Sequence, residues 1–153
     1  MRIAFWIVVV LGLTYSQLHG NTEYATKLII QHEGFVAKHY KDADGISIGY
    51  GTNITKGISK AEAILLLNHR LEQAELKLIK HDWYNKLSYR RKSVILDMTY
   101  NLGYWGVLDF KNMIWCLNNG YYNGAANAMK KSIWYHQTGN RARELVRLMK
   151  LKG

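Results

Sequence analysis

Several residue types that usually constrain a chain are scarce or absent in this sequence of 153 residues. It contains no proline, and nothing in the composition accounts for that absence. The single cysteine, Cys116, excludes an intramolecular disulfide, and its apolar run MIWCL predicts a thiol in the core. No HExxH pair, RNA-binding signature, zinc-finger spacing or basic leucine zipper is present. We therefore expect no zinc site and no nucleic-acid partner.

Acidic residues are also scarce, because 11 Asp and Glu oppose 21 Lys and Arg and give a formal net charge of +10. The length is that of one domain, and the 48% hydrophobic content is typical of a globular protein. A basic chain is attracted to polyanions such as nucleic acid, anionic lipid or a bacterial wall. Seven basic residues fall in the last 24 positions, a pattern that an exposed helix face explains equally well.

One long apolar run is present, at the N-terminus. Arg2 precedes the run IAFWIVVVLGL, which is the order of charged and apolar regions in a secretory signal. The uncharged span from Ile3 to Thr22 is 20 residues, just long enough to cross a bilayer, although its second half is polar. Cleavage after Ser16 or Gly20 fits the usual small-residue pattern poorly. A weakly anchored, releasable segment and a buried N-terminal helix are therefore the alternatives to a cleaved signal.

The rest of the chain alternates between helical and strand-like patterns. A stretch rich in Gly, Tyr, Ile, Ser and Thr predicts short antiparallel strands over 38–55, with a tight turn at Asp44-Gly45. The longest helix is predicted to start with a capping box made by Ser59 and Glu62. Apolar periodicity predicts helices over residues 22–32, 59–80, 89–102, 110–118, 122–131 and 141–150.

Two carboxylates stand close together in sequence near the first predicted helix end. Glu33 lies nine residues before Asp42, and Ser47 follows in a segment punctuated by glycine. Cleavage of a glycosidic bond needs a proton donor and a second group that acts on C1 or on the attacking water. Glu33, beside Phe35, suits the donor, whereas Asp42 in a polar turn suits the ionised partner. The same spacing also arises from an ordinary helix end and turn, so spacing alone leaves both interpretations open.

Three longer motifs give this stretch a family resemblance. They read YKDADGISIGYG over 40–51, YNLG over 100–103 and WYHQTGNRA over 134–142. Together with Glu33-Gly34, they resemble the phage-type lysozymes, the T4-like endolysins of glycoside hydrolase family 24. The resemblance covers residues 23–150, nearly all of the expected mature chain. The resemblance is specific because two of the motifs, those over 40–51 and 134–142, occur in the right order and at about the right separation.

The resemblance implies catalytic and supporting roles for individual residues. Glu33 would be the general acid that protonates the glycosidic oxygen, and Asp42 would position the water that attacks C1. Ser47 would help to hold that water. Arg141 would sit against Glu33 and brace it electrostatically, and Tyr40 would pack beside the site.

The resemblance also implies substrate-binding residues and shows departures from the family pattern. Asn53, Tyr100 and Asn101 would line the sugar cleft. The loop between Asp42 and Ser47 is one residue shorter than usual, and Ser47 replaces a Thr whose methyl group restricts χ1. Because these departures affect the water site, inversion with Asp42 as base and retention with Asp42 as nucleophile both remain open. Trp105, Trp115 and Trp134 can stack on sugars, although most aromatic side chains are expected in the core.

The fold implied is α+β, mostly α: a lysozyme-like two-lobed fold with a small β-sheet lobe, a long connecting helix and a helical C-terminal lobe. The reaction implied is hydrolysis of the β-1,4 bond between N-acetylmuramic acid and N-acetylglucosamine in bacterial peptidoglycan, which causes cell lysis. No cofactor or metal is needed, and a monomer is expected. A transglycosylase, which would not need Asp42, is a further alternative.

Residues 1–22 are expected to form a signal peptide or signal-anchor segment, and residues 23–153 the lysozyme domain. The segment would use the secretion machinery of the bacterial host, so that the protein reaches the periplasm and cell wall, with a transient membrane anchor as the alternative. A non-enzymatic cationic protein that binds the wall or disrupts membranes, built on a lysozyme scaffold, is the alternative function. The charge of +10 and the altered loop at Ser47 favour that alternative.

Overall fold

The computed structural model describes residues 15–151 of the chain. The chain divides between Ser59 and Lys60 into two compact units. We call residues 15–59 the sheet unit and residues 60–151 the helical unit. The elements of the sheet unit are α1 (Tyr15–Glu33), β1 (Val36–Asp42), β2 (Gly45–Gly49) and β3 (Thr52–Asn53). Those of the helical unit are α2 (Lys60–Leu78), α3 (Asp82–Asn85), α4 (Tyr89–Leu108), α5 (Lys111–Asn118), α6 (Tyr122–Lys130), α7 (Ile133–Thr138) and α8 (Asn140–Lys150).

The described chain is mostly helical, with one antiparallel sheet of strand order β1-β2-β3. The expected α+β, lysozyme-like fold class is therefore confirmed. Both strand connections are short, as antiparallel neighbours allow. The turn between β1 and β2 consists of Ala43 and Asp44, because Asp42 pairs with Gly45. The predicted turn at Asp44-Gly45 was thus one residue too late in the sequence.

The first helix is longer than its pattern predicted. It begins at Tyr15 rather than at Thr22 and ends at Glu33. Both weak cleavage positions, Ser16 and Gly20, therefore lie within α1. The apolar run over 3–13 lies outside the described residues, so the division into 1–22 and 23–153 stays a prediction. Among the described helices, none is both long and apolar enough to span a membrane.

The core of the helical unit explains why its helices form where the periodicity predicts them. Four residues of α8, three and four positions apart, are buried on one face of the helix: Ala142, Leu145, Val146 and Met149. Full burial of one such side chain contributes about 1.5–3 kcal/mol. Every buried apolar side chain found in residues 22–151 belongs to this core, which runs from Leu78 to Met149. The helical unit is thus a packed scaffold.

Local departures from the predicted helices have identifiable causes. The helix α4 was predicted to end at Leu102, and its helical backbone does break at Gly103, where φ is 77° and ψ is 164°. Glycine adopts that conformation without the strain that a Cβ would add. The short helices α3 and α7 were not predicted, because their lengths of four and six residues are too short for apolar periodicity.

The aromatic side chains and the cysteine divide between core and surface. Trp134 is buried, as expected, whereas the side chains of Trp105 and Trp115 are 75% and 62% exposed. The prediction that most aromatic side chains lie in the core was wrong, because eight of them in residues 22–151 are exposed and only Trp83, Tyr84 and Trp134 are buried. Cys116 is half-buried at the edge of the core rather than enclosed in it.

A buried arginine of α4, Arg91, links that helix to the C-terminal end of α8. The Arg91 side chain is 6% exposed and donates hydrogen bonds to the carbonyl oxygens of Met149 and Leu151, at 3.1 and 2.6 Å. Its guanidinium also lies 3.5 Å from the centre of the Tyr122 ring, a cation–π contact. Two of the carbonyl groups left without partners at the end of α8 are thereby satisfied by a cation, which the helix dipole favours.

Replacing this arginine should destabilise the helical unit. We expect Arg91→Met to lower the free energy of unfolding by about 3 kcal/mol, because the buried carbonyl group of Met149 and the part-buried one of Leu151 lose a charged donor. Urea unfolding followed by circular dichroism measures the change. The matched control is Arg147→Met, which removes an exposed arginine of α8 and should cost no more than about 0.5 kcal/mol. Equal losses in the two variants would contradict a special role for Arg91.

Candidate active site

The sheet brings four of the predicted site residues onto one face. Residues that pair directly across antiparallel strands point to the same face, and so do residues two apart on one strand. Tyr40 pairs with Ser47, which also pairs with Asn53 on β3. Asp42 lies two residues beyond Tyr40 and diagonally across from Ser47. The face therefore holds all four side chains, with Ser47 on the central strand.

Asp42 and Ser47 form the chemical centre of this face. Ser47 is almost fully buried, at 1% exposure, whereas Asp42 is exposed. The Ser47 hydroxyl donates a hydrogen bond to the Asp42 carboxylate and holds the pKa of that carboxyl below its usual value of 3.8. The backbone amide of Asp44 adds a second hydrogen bond to Asp42 Oδ1, at 3.0 Å. Asp42 is thus an ionised acceptor at neutral pH.

Glu33 reaches the same unit from the end of α1. Gly34, with φ of 69°, ends that helix and turns the chain into β1. A Cβ built on Gly51 would lie only 3.3 Å from Glu33 Oε2, so the carboxylate rests against the turn between β2 and β3. Phe35 stacks obliquely on Tyr50, with ring centres 5.4 Å apart. The helix end therefore delivers the predicted acid to the turn that follows the strand carrying Ser47.

Asn53 shares the face, but its side chain supports the turns. Its Nδ2 group donates to the carbonyl oxygen of Asp44 at 3.1 Å, and its Oδ1 accepts from the Thr55 amide at 3.0 Å. Thr55 Oγ1 in turn accepts from the amide of Ile46 at 2.8 Å. These bonds fix the loop that carries Asp42. A role for Asn53 in sugar binding stays a prediction.

The helical unit positions the remaining predicted residues. Tyr100 and Asn101 lie on α4 just before the break at Gly103, and the Tyr100 side chain is 51% exposed. Asn101 Oδ1 accepts a hydrogen bond from the indole nitrogen of Trp134 at 2.8 Å. The second and third sequence motifs are therefore joined within one unit. The sugar-binding roles of Tyr100 and Asn101 stay predictions.

Arg141 has a partner that the sequence did not suggest. Its Nε donates to Asp97 Oδ1 at 2.7 Å, and its terminal nitrogen reaches the Asp97 backbone oxygen at 3.4 Å. Both side chains are a little more than one-third exposed, so the ion pair contributes modestly to stability. The bonds nevertheless orient the guanidinium on the first turn of α8. The predicted bracing of Glu33 by Arg141 stays a prediction.

Sequence reasoning missed Asp97 and Thr55 as parts of this arrangement; Gly51 belongs to the motif over 40–51, but its closeness to Glu33 was not predicted. Asp97 lies four residues before Asn101 on α4, and helical spacing places residues four apart on one face. That spacing could have indicated it as a neighbour of the predicted site. Thr55 acts through its hydroxyl, which accepts a hydrogen bond from the Ile46 amide nine residues away, and no local pattern reveals that contact. In the part of the chain that the structure describes, no group of three His, Cys, Asp or Glu side chains is placed to hold a metal ion.

A mostly helical α+β chain with a carboxylate at a helix end, a second carboxylate on a short hairpin and a hydroxyl beside it defines a lysozyme-like protein. The family model for phage lysozyme matches residues 30–150. That match covers more than half of the sequence, so the chain belongs to the phage lysozyme family.

A named relative supports the same membership over a shorter stretch. The chain is 35% identical over 63 residues to "Probable T4-type lysozyme 1" of Dictyostelium discoideum. The aligned stretch is 41% of this chain and 37% of that relative. The chain thus spans little more than a third of the relative's length in this alignment.

The hydrogen bond from Ser47 should control the titration of Asp42. In Ser47→Ala we expect the pKa of Asp42 to rise towards 3.8, because the carboxylate loses its largest stabilising contact. The lowered pKa gives a contribution to stability that is present above pH 3.8 and is lost as pH falls through the folded-state pKa. Ser47→Ala should therefore make the free energy of unfolding depend less on pH in this acid range. Carboxyl NMR titration measures the pKa. Ser47→Thr keeps the hydroxyl and should keep the low value; an unchanged pKa in Ser47→Ala would contradict the assignment.

Gly45 should be required for the hairpin. Its φ is 133°, and a Cβ there would lie 2.0 Å from Thr55 Oγ1. We expect Gly45→Ala to destabilise the hairpin by about 2 kcal/mol or more, and to reduce hydrogen-exchange protection of the Ile46 amide. Gly57→Ala is the matched control, since its φ is 82° but nothing lies within 4 Å of its added Cβ. Similar loss of Ile46 protection in both variants would refute the steric explanation.

Proposed function

We propose that this protein is a lysozyme that hydrolyses the β-1,4 bond between N-acetylmuramic acid and N-acetylglucosamine in bacterial peptidoglycan, and so lyses cells. The observation that carries the proposal is the Asp42–Ser47 pair on the sheet face, in the unit where Glu33 rests against Gly51. Membership of the phage lysozyme family supports cell-wall hydrolysis in general. The particular bond and the lytic role are proposed from the residues of the site.

The two carboxylates take complementary roles in this reaction. Glu33 gives its proton to the glycosidic oxygen as the bond from that oxygen to C1 breaks. Asp42, kept ionised by Ser47, accepts a proton from the water that attacks C1. The Ser47 hydroxyl orients the Asp42 carboxylate and that water. The sugar passes through an oxocarbenium-like state that the Asp42 charge stabilises. A retaining route, in which Asp42 attacks C1 directly, uses the same ionised carboxylate.

Residues of the helical unit would bind the glycan. The exposed ring of Tyr100 offers a surface for stacking on a sugar. Asn101 is oriented by Trp134, so its amide nitrogen is the atom that would donate to a sugar oxygen. Arg141, held by Asp97, would supply positive charge beside the acid. Orientation of Asn101 and Arg141 by partners within the protein lowers the cost of ordering them when substrate binds.

Export completes the proposal. The N-terminal apolar run would take the chain across the inner membrane through the host secretion machinery, to the periplasm and cell wall, as a cleaved signal or a transient anchor. The net charge of +10 would speed its encounter with an acidic wall at low ionic strength. Recovery of the protein only from the cytoplasm of an expressing bacterium would contradict export. A cationic, non-enzymatic membrane disruptor is not favoured by the family membership.

Loss of the proposed acid should abolish hydrolysis. We expect Glu33→Gln, and separately Asp42→Asn, to reduce turbidity clearing of purified peptidoglycan sacculi by about 100-fold or more. Asp44→Asn is the matched control, because it removes an exposed carboxylate two residues from Asp42 and should clear at the wild-type rate.

Each other outcome of this assay identifies a different function. Equal clearing by wild type and Glu33→Gln would refute the assignment of the acid. Killing of live cells by Glu33→Gln without clearing of sacculi would favour the membrane-disrupting alternative. Reducing-end analysis of the products separates hydrolysis from a transglycosylase, which leaves an anhydro sugar without a reducing end.

A further inference from the structure

An exposed pair of aromatic rings lies where α5 ends and α6 begins. The Trp115 and Tyr121 side chains are 62% and 57% exposed, and their ring centres are 5.8 Å apart. We call these two residues, with Asn118 and Asn119 between them, the aromatic platform. All four belong to the helical unit. No residue of α5 or α6 has a role in the proposed hydrolysis, so the platform needs an explanation of its own.

The end of α5 brings the two rings together. Gly120 has a φ of 72°, the left-handed conformation at which many helices end. Its amide donates to the Leu117 carbonyl oxygen at 3.1 Å, and the Tyr121 amide donates to that of Cys116 at 2.8 Å. These two bonds turn the chain back over the last turn of α5, so that Tyr121 reaches the ring of Trp115. The helix end explains the contact between the rings, but it does not require both rings to stay exposed.

Asparagine side chains border the rings. Asn118 and Asn119 follow Trp115 by three and four residues, on the same side of the chain, and both are exposed. The Nδ2 group of Asn119 donates to the Trp115 carbonyl oxygen at 2.8 Å, which orders that side chain. A carboxamide can both donate and accept hydrogen bonds. The platform therefore combines ring faces for stacking with neutral polar groups.

The platform lies in a stretch of sequence without charge. Residues 112–129 include five asparagines but no Asp, Glu, Lys, Arg or His, although charged residues make up 21% of the chain. Lys111 and Lys130 are the charged residues that flank the stretch. An anionic membrane or an acidic partner is attracted to clustered cations, which this stretch does not contain. Its neutrality matches an uncharged polar ligand better.

We propose that the aromatic platform binds the glycan strands of peptidoglycan, as a second contact to which no residue of the proposed hydrolytic site belongs. The inference rests on the proposed function, which supplies the polymer. The C–H faces of the sugars pack on the exposed rings, and their hydroxyl and N-acetyl groups pair with the carboxamides. Attachment at the platform raises the effective concentration of the hydrolytic residues at other parts of the same insoluble strand.

The test measures binding in the full-length chain carrying Glu33→Gln, so that the glycan is not digested. Tyr121→Ser is compared with Tyr89→Ser, its matched control, which removes an 88% exposed tyrosine outside the platform. Trp115→Ala is compared with Trp115→Phe, which keeps a ring for stacking. Binding is measured by co-sedimentation with intact sacculi and with sacculi whose peptides an amidase has removed. Thermal unfolding shows whether each variant is folded, and the tyrosine pair decides the test if Trp115→Ala is not.

We expect Trp115→Ala and Tyr121→Ser each to bind both kinds of sacculi about fivefold more weakly than the parent, because each loses a stacking surface. Tyr89→Ser should bind like the parent, and Trp115→Phe should keep most of the affinity. The losses should not shrink as salt is added, because no charge is removed. Unchanged binding in Trp115→Ala and Tyr121→Ser, or an equal loss in Tyr89→Ser, would overturn the proposal.

A soluble ligand locates the contact directly. Titration with a tetramer of N-acetylglucosamine should shift the indole N–H resonance of Trp115 in NMR spectra. Trp115→Phe identifies that resonance by its absence. A resonance that stays in place while the tetramer binds elsewhere on the chain would contradict a glycan site at the platform.

Two other occupants would also overturn the proposal. Binding to vesicles of anionic phospholipid that Trp115→Ala abolishes, with binding to sacculi unchanged, would assign the platform to a membrane surface. A dimer in sedimentation velocity that Trp115→Ala converts to a monomer, with binding to sacculi unchanged, would assign it to a second copy of the chain.

The binding results are independent of the clearing assay, because they come from a chain without the proposed acid. Clearing of sacculi by wild type with no effect of the platform variants would remove only the platform. Binding that depends on the platform, without clearing by wild type, would remove only the proposed hydrolysis.

Discussion

The hairpin register of β1 and β2 is the constraint on which the candidate site depends. Side chains alternate between the faces of a strand, so a slip of one residue would move Asp42 and Ser47 to opposite faces. The register is fixed at the turn, where Gly45 adopts a φ of 133° close to Thr55. There the Thr55 hydroxyl accepts a hydrogen bond from the Ile46 amide. The chemistry of the carboxylate thus depends on a glycine and a threonine that take no part in it.

The helical unit solves a different problem, because it orients exposed polar groups on a packed core. Asn101 is held by the buried Trp134, and Arg141 by Asp97, so these two predicted site residues each have a partner in the same unit. Such support is needed where a side chain must act without being buried. Among residues 22–59 of the sheet unit no apolar side chain is buried, and strand pairing together with the side-chain hydrogen bonds of Asn53 and Thr55 supports the sheet.

Much of this arrangement could be predicted from the sequence, and the remainder has physical reasons for escaping it. Helical periodicity is strong over long elements, so α4 was placed correctly up to its break at Gly103. The motif carrying Asp42 and Ser47 was located because its residues are contiguous. The partner of Arg141 was not found, since Asp97 is 44 residues away and pairs with it only through tertiary packing. The start of α1 was misplaced because residues 15–21 were assigned to the uncharged N-terminal segment.

The buried Arg91 has a consequence for the order in which the chain can fold. Its two acceptors lie 58 and 60 residues further along the sequence, at the end of α8. Contacts of such long range form only after the intervening chain has been synthesised and folded back, which makes them late and slow to close. Until Met149 and Leu151 have left the ribosome, the Arg91 charge has neither acceptor and must remain hydrated. The contact between α4 and the end of α8 therefore forms only when the last turn of α8 is available.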